Sequence, residues 1–90
     1  MDDILDEFKE YLQNRALKEY ADGTTTNYKS GIRIICKREN INTAKVLIGR
    51  IDELEQKYGE TGSEAAFGKK SHNSYINAVR RFNEFVKSNK

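Results

Sequence analysis

Residues 72–86, HNSYINAVRRFNEFV, are the stretch that decides the fold. Apolar side chains recur in it every three or four positions, at Tyr75, Ala78, Val79, Phe82, Phe85 and Val86. An α-helix makes a turn every 3.6 residues, so this spacing places them all on one side. Ser71 is a suitable N-cap residue. We therefore predict an amphipathic helix from His72 to about Ser88 that buries this stripe.

The same period recurs in three earlier segments, and no segment alternates with the period of a strand. We predict helices over residues 3–21, 25–39, 43–58 and 72–88, with one extra turn near residues 63–67. Gly31 is expected to permit close approach of another helix, and Gly49 to split the third helix. We place Ile48 on the buried side, and Ile34 and Ile76 on exposed faces. The predicted fold class is all-α, a compact four-helix bundle.

Length and composition limit what the chain can be. Ninety residues, of which 33% are charged and 37% apolar, are typical of one folded domain, spanning residues 1–90. No apolar run approaches about 18 residues, so no membrane-spanning segment is expected. The acidic start and the single cysteine argue against a secreted, disulfide-bonded protein, so we expect a cytoplasmic location. The chain stops just after the last core residue, which suggests a piece of a larger protein.

Positive charge is concentrated in two segments although the net charge is only +2. Residues 24–40 carry four bases against Glu39, and residues 68–90 carry six bases against Glu84. Residues 1–10 hold five acids and one lysine. Such asymmetry favours an anionic partner over a merely solubilising role, although helix-surface cations often have no other role.

The first basic segment opens with three threonines, TTTNYKSGIRIICK, residues 24–37. Hydroxyls and unpaired backbone N–H groups at a helix start attract anions. Cations at a spacing of four follow on one side. The candidate phosphate-binding residues here are Thr24, Thr25, Thr26, Lys29, Arg33 and Lys37.

The second basic segment offers a comparable surface on the last helix. Asparagine and arginine side chains can contact adenine and guanine edges, and lysine contacts phosphate. The candidate residues are Lys69, Asn73, Asn77, Arg80 and Lys87.

No catalytic, metal or cofactor site can be assembled from the sequence. The only histidine, His72, falls in a helix start, and the only cysteine, Cys36, falls at the edge of an apolar stripe. The glycine-containing loop GETGSEAAFG lacks a lysine–serine ending and a preceding strand, so it is not a phosphate-cradling loop. We expect no cofactor and no enzymatic activity from this chain.

Three segments resemble one known family: FKEYL at residues 8–12, TTTNY at 24–28 and SHNSYINAVRRFNEF at 71–85. Together they resemble the SAM-like, N-terminal core-binding domain of phage integrases and other tyrosine recombinases. The resemblance implies a non-catalytic module that clamps duplex DNA during integration or recombination. It also implies a partner, the C-terminal catalytic domain of the same parent chain. The last segment is similar, too, to a helical module found ahead of nuclease domains in restriction-type proteins.

Two kinds of function therefore remain open at the level of sequence. The first is a monomeric DNA-binding module with weak affinity and steep salt dependence. The second is a protein-interaction bundle, in which Ile34, Ile76 and the basic faces dock an acidic partner or a second copy.

Overall fold

The computed structural model describes residues 2–14, 20 and 22–88, and this part of the chain contains five helices. In chain order they are α1 (Asp2–Asn14), α2 (Asp22–Arg38), α3 (Ala44–Tyr58), α4 (Ala65–Gly68) and α5 (Lys70–Ser88). The described residues contain no strand. The prediction of an all-α bundle of four main helices with one extra short turn is confirmed. None of the described helices combines the length and apolar character needed to cross a membrane.

Helix α5 supplies the centre of the core. Four residues of its predicted stripe are buried, Ala78, Val79, Phe82 and Phe85, and Tyr75 and Val86 are partly buried against them. The Phe82 ring meets the Phe8 ring of α1 edge-on, with the centroids 5.1 Å apart. Phe85 packs against Phe8 and against Tyr11 at centroid distances of 5.7 and 5.4 Å. Paired rings at these distances add about 0.5–1.5 kcal/mol to the free energy gained by burial alone.

Helices α2 and α5 pack closely at Gly31. A Cβ atom built on Gly31 would lie 3.3 Å from the Ala78 Cβ and 3.6 Å from the Tyr75 ring. A glycine opposite an alanine lets the two backbones approach, as the sequence predicts. The two basic segments therefore belong to neighbouring helices.

The turn between α2 and α3 follows ordinary capping rules. Asn40 has a positive φ of 57°, a left-handed conformation that asparagine tolerates and that often ends a helix. Thr43 caps α3, with its Oγ1 accepting a hydrogen bond from the Val46 N–H at 3.3 Å. Ile41 is buried between these two positions and fixes the turn to the core.

The short helix α4 anchors the link between α3 and α5. The Phe67 ring lies between the rings of Tyr58 and Tyr75, at centroid distances of 5.9 and 4.6 Å. A Cβ on Gly68 would lie 2.1 Å from the Tyr58 carbonyl oxygen, so only glycine fits there. Phe67 thus anchors the link between α3 and α5.

Several details differ from the predictions. Helix α2 begins at Asp22 rather than at residue 25, and α3 runs through Gly49 without a break. Ile76 is buried, at 5% exposure, whereas Ile48 is 38% exposed; both had been predicted the other way round. The final third of the predicted first helix falls mainly on residues 15–19 and 21, outside the described residues.

Candidate nucleic-acid interface

The three threonines do not form the anion-binding helix start that the sequence predicts. Because α2 begins at Asp22, they lie inside its first turns rather than at its cap. Thr25 is fully buried, and the Gln13 Nε2 lies 3.5 Å from its Oγ1. Thr24 is half-buried and only Thr26 is exposed. The assignment of Thr25 to a DNA contact is therefore wrong, since its hydroxyl faces the interior.

The cations of α2 differ in whether a carboxylate of the domain holds them. Lys29 donates a hydrogen bond to the Asp6 carboxylate of α1, and its side chain is only 22% exposed. That hydrogen bond, with the charges of Lys29, Arg33 and Lys9, holds the pKa of Asp6 below its usual value. Arg33 is exposed but lies in the field of the same carboxylate. Lys37 is exposed and has no carboxylate partner among the described residues.

Three candidates of the second basic segment meet at one place. Lys69, Asn73 and Arg80 line a single groove, which we call the α5 groove. Its other lining residues are Tyr58, Glu60 and Ile76. The side chains of Lys69, Asn73 and Arg80 are exposed, and in the described part of the chain neither cation is paired with an acid. Asn77 is half-buried and lies one helical turn before Arg80.

Lys87, unlike Lys69 and Arg80, is paired with the carboxylate of a described residue. Its Nζ lies 2.8 Å from the Asp52 Oδ1 and also contacts the Asn83 Oδ1. Asn83 is nearly buried and donates to Asp52 and to the Glu55 Oε1, at 3.0 and 2.9 Å. Lys87 thus belongs to a polar contact between α3 and α5. The sequence analysis did not single out Asn83. The one sign of its role is its position next to Phe82, on the side of the helix that carries the apolar stripe.

The turn that leads into α5 has an unusual backbone. Ser71, His72 and Asn73 have φ angles of 55°, 58° and 66°, so three consecutive residues other than glycine are left-handed. This conformation costs about 1–2 kcal/mol per residue, and less for asparagine. The regular right-handed part of α5 therefore starts after Asn73, two residues later than predicted. Sequence patterns gave no sign of this turn.

A second groove lies between α2 and the start of α5. Its lining residues are Asn27, Ser30, Gly31, Ile34, Ser71, His72, Ser74 and Tyr75. None of them is a lysine, arginine, aspartate or glutamate, in a chain of which 33% is charged. We call it the neutral groove. Ile34 is 40% exposed there, as predicted.

The remaining reactive side chains stand apart from both grooves or lack partners. Burial raises the pKa of the Cys36 thiol to about 11, which keeps it protonated and unreactive at neutral pH. His72 is exposed. Over residues 2–14, 20 and 22–88, no three histidine, cysteine or carboxylate side chains are grouped as a metal site would require.

Comparison of the chain with models of protein families, with curated proteins and with solved structures finds no match. The resemblance to the core-binding domain stays a prediction.

Proposed function

We propose that this domain binds duplex DNA without catalysing a reaction, and that the α5 groove is the centre of its contact surface. The observation that supports this most directly is that Lys69, Asn73 and Arg80, whose side chains are exposed, line one small groove. A lysine and an arginine that line one groove suit phosphate oxygens, because both donate charge-assisted hydrogen bonds. An asparagine amide in the same groove suits a base edge or a further phosphate.

Helix α2 contributes less than its sequence suggests. Lys37 and Thr26 are the exposed candidates on it that no described carboxylate holds, whereas Lys29 is held by Asp6. Helix α2 lies against α5 at Gly31, so Lys37 and Thr26 are exposed on a helix next to the one that carries Asn73 and Arg80. The proposed surface therefore consists of the α5 groove, Asn77, Lys37 and Thr26.

The acids near this surface set the expected strength of binding. Glu60 lines the α5 groove, and Glu55 and Glu84 lie beside Arg80 in the next groove along α5. Carboxylates this close repel phosphate and offset part of the attraction. We expect weak binding with about two or three phosphate contacts, so that log K falls with log salt with a slope of about −2 to −3.

The wider assignment, to the core-binding module of a tyrosine recombinase, is proposed on the sequence resemblance. In that setting a catalytic domain of the same parent chain supplies the bond-breaking chemistry, and this module holds the duplex. A module that positions DNA for a restriction-type nuclease is the alternative, and it uses the same surface. Both assignments predict that the domain binds DNA through this surface.

Single substitutions that each remove one positive charge test the surface. We expect Lys69→Gln and Arg80→Gln each to weaken binding to labelled duplex about three- to tenfold, and to flatten the salt slope by about 0.9 per lost phosphate contact. Lys45→Gln is the matched control. Lys45 is exposed at the start of α3, whereas the α5 groove lies against the end of α3 at Tyr58. Equal effects of all three substitutions would mean that net charge alone matters and would contradict the proposed site.

The neutral groove favours a second candidate function, self-association through a second copy of the chain. Charged residues are depleted at the centres of protein interfaces, and an exposed isoleucine at such a place is typical of a contact. Sedimentation of the wild-type protein and of Ile34→Ser decides this candidate. A dimer that Ile34→Ser dissociates supports it, and a monomer at all concentrations rules it out.

A further inference from the structure

The α5 groove is small and partly apolar. It encloses about 70 Å³, compared with about 380 Å³ for the neutral groove. A water-sized group needs about 10–15 Å³ of such space, so the α5 groove has room for about five to seven of them. Two of its lining residues are almost completely buried, Tyr58 at 1% and Ile76 at 5% exposure. Charges beside such residues interact more strongly than charges in open water.

Three side chains that donate hydrogen bonds line this groove from three positions along the chain. Lys69 follows α4, Asn73 belongs to the left-handed turn, and Arg80 lies within α5. No described residue forms a hydrogen bond or an ion pair with any of these three side chains. The Asn73 N–H donates to the Lys69 carbonyl at 3.0 Å, which holds together the two backbone segments that carry the first two donors. All three donors are therefore available to a ligand.

A single phosphate group matches this groove better than a longer piece of the DNA backbone does. It consists of one phosphorus and four oxygen atoms, so it fills the groove and leaves no space for a sugar. A phosphate inside a strand is attached to a sugar on both sides and carries one charge. A terminal phosphate monoester is attached on one side only, presents three acceptor oxygens and carries a charge of about −1.5 to −2 at pH 7. Three donors, two of them cations, therefore suit a terminal phosphate.

We propose that the α5 groove is a site for a phosphate monoester, and that its ligand is the terminal phosphate of a DNA strand. The inference rests on the proposed function, because it names the chemical group of DNA that occupies the centre of the same surface. Lys69 and Arg80 contact the charged oxygens, and the Asn73 amide donates to a third oxygen. Glu60, which is exposed and lines the same groove, repels the phosphate and limits the affinity.

Three duplexes of one sequence test the preference for a terminal phosphate. They carry a phosphate at the 5′ ends, at the 3′ ends or at neither, with a fluorescent label inside the duplex so that the ends stay free. We expect one of the phosphorylated duplexes to bind about tenfold more tightly than the unphosphorylated one, the effect of one further hydrogen bond to a charged group. Binding of all three with equal affinity would overturn the inference and leave the proposed function intact.

Substitutions in the groove show whether the preference arises there. Lys69→Gln and Arg80→Gln should each reduce the tenfold ratio to about twofold, whereas Lys45→Gln, at the exposed start of α3, should preserve it. Glu60→Gln should raise the affinity for the phosphorylated duplex about two- to fivefold, since it removes one exposed like charge. A preference that survives substitution of both Lys69 and Arg80 would place the terminal phosphate elsewhere and overturn the assignment.

Inorganic phosphate alone tests the groove independently of DNA. Added to the isotope-labelled domain at constant ionic strength, it should shift the NMR signals of Lys69, Asn73 and Arg80 to a plateau, and it should not do so in Lys69→Gln. If no duplex binds at low salt, the proposed function fails, and with it the terminal phosphate of DNA as the ligand. Saturating shifts would then identify a free phosphate monoester as the ligand, whereas an unchanged spectrum would overturn the site altogether.

Discussion

At the scale of single residues, Gly49 and Gly68 show how the same residue type serves opposite purposes. A Cβ on Gly49, inside α3, meets nothing within 4 Å. A Cβ on Gly68 lies 2.1 Å from a backbone carbonyl oxygen, which cannot move aside without shifting α3. Gly49 thus destabilises its helix, whereas close packing requires a glycine at position 68.

Alanine at each of these two positions should change stability in opposite directions. We expect Gly49→Ala to raise the free energy of unfolding by up to about 1 kcal/mol, since alanine is the better helix former. Gly68→Ala should lower it by about 1–3 kcal/mol through overpacking. Urea denaturation measures both. A stabilising Gly68→Ala would show that α4 does not pack on the end of α3 as described.

Ile76 and Ile48 mark the limit of residue-level prediction. Periodicity places each on a helix correctly, but it does not say how wide the buried face is. Ile76 is buried and lies in the α5 groove with Tyr58, the last residue of α3. Ile48 is exposed because Leu47 and Ile51 already fill the contact that α3 makes. Both outcomes depend on neighbours that are distant in sequence.

At the scale of helices and turns, Glu39 links the end of α2 to α3. Its carboxylate accepts hydrogen bonds from the Arg50 Nη2 at 2.8 Å, the Lys57 Nζ at 3.0 Å and the Tyr58 hydroxyl at 2.9 Å. Desolvation alone would raise the pKa of Glu39, but the hydrogen bonds from Lys57, Arg50 and Tyr58 outweigh it and lower the pKa to about 2. A carboxylate held in this way stabilises the folded state only while it is ionised.

This coupling of ionisation to folding predicts that the free energy of unfolding depends on pH. Because the folded-state pKa is lower than the unfolded value, the contribution of Glu39 is present above about pH 4.5 and is lost as the pH falls toward 2. We expect Glu39→Gln to lower the free energy of unfolding at pH 7 by about 2 kcal/mol, and to remove part of the acid dependence. Thermal unfolding between pH 7 and pH 2.5 measures both effects.

Glu53→Gln is the matched control for that prediction. Glu53 also accepts a hydrogen bond from Arg50, at 2.6 Å, but its side chain is 57% exposed. Exposed ion pairs contribute about 0–1 kcal/mol, so this substitution should change stability little. If the two glutamine variants proved equally stable at pH 7, the assignment of Glu39 as the link between α2 and α3 would be wrong.

The helices also explain which parts of the candidate site were predictable. Helix existence and type follow from local periodicity, so the cationic faces of α2 and α5 could be predicted. The pairing of Lys29 with Asp6, and of Lys87 with Asp52, joins residues 23 and 35 positions apart. No local pattern reveals such pairs. The left-handed turn was missed for the same reason, since the packing of Phe67 and Tyr75 on each side imposes it.

At the scale of the whole molecule, the distribution of charge sets the direction from which DNA should approach. Helix α1 exposes Asp3, Glu7 and Glu10, which repel phosphate. The cations without carboxylate partners among the described residues include Lys37, Lys69 and Arg80, on or beside α2 and α5. We therefore expect the domain to contact DNA through α5 and the outer face of α2, with α1 turned away.

The most direct test of this account is a titration of the isotope-labelled domain with duplex DNA at low salt, followed residue by residue by NMR. The account predicts chemical-shift changes concentrated at Lys69, Asn73, Asn77 and Arg80, with smaller changes at Lys37, and none along the acidic face of α1. These changes should disappear as salt is raised. A spectrum that DNA leaves unchanged, or changes centred on α1, would contradict the claim that the α5 groove binds a polyanion.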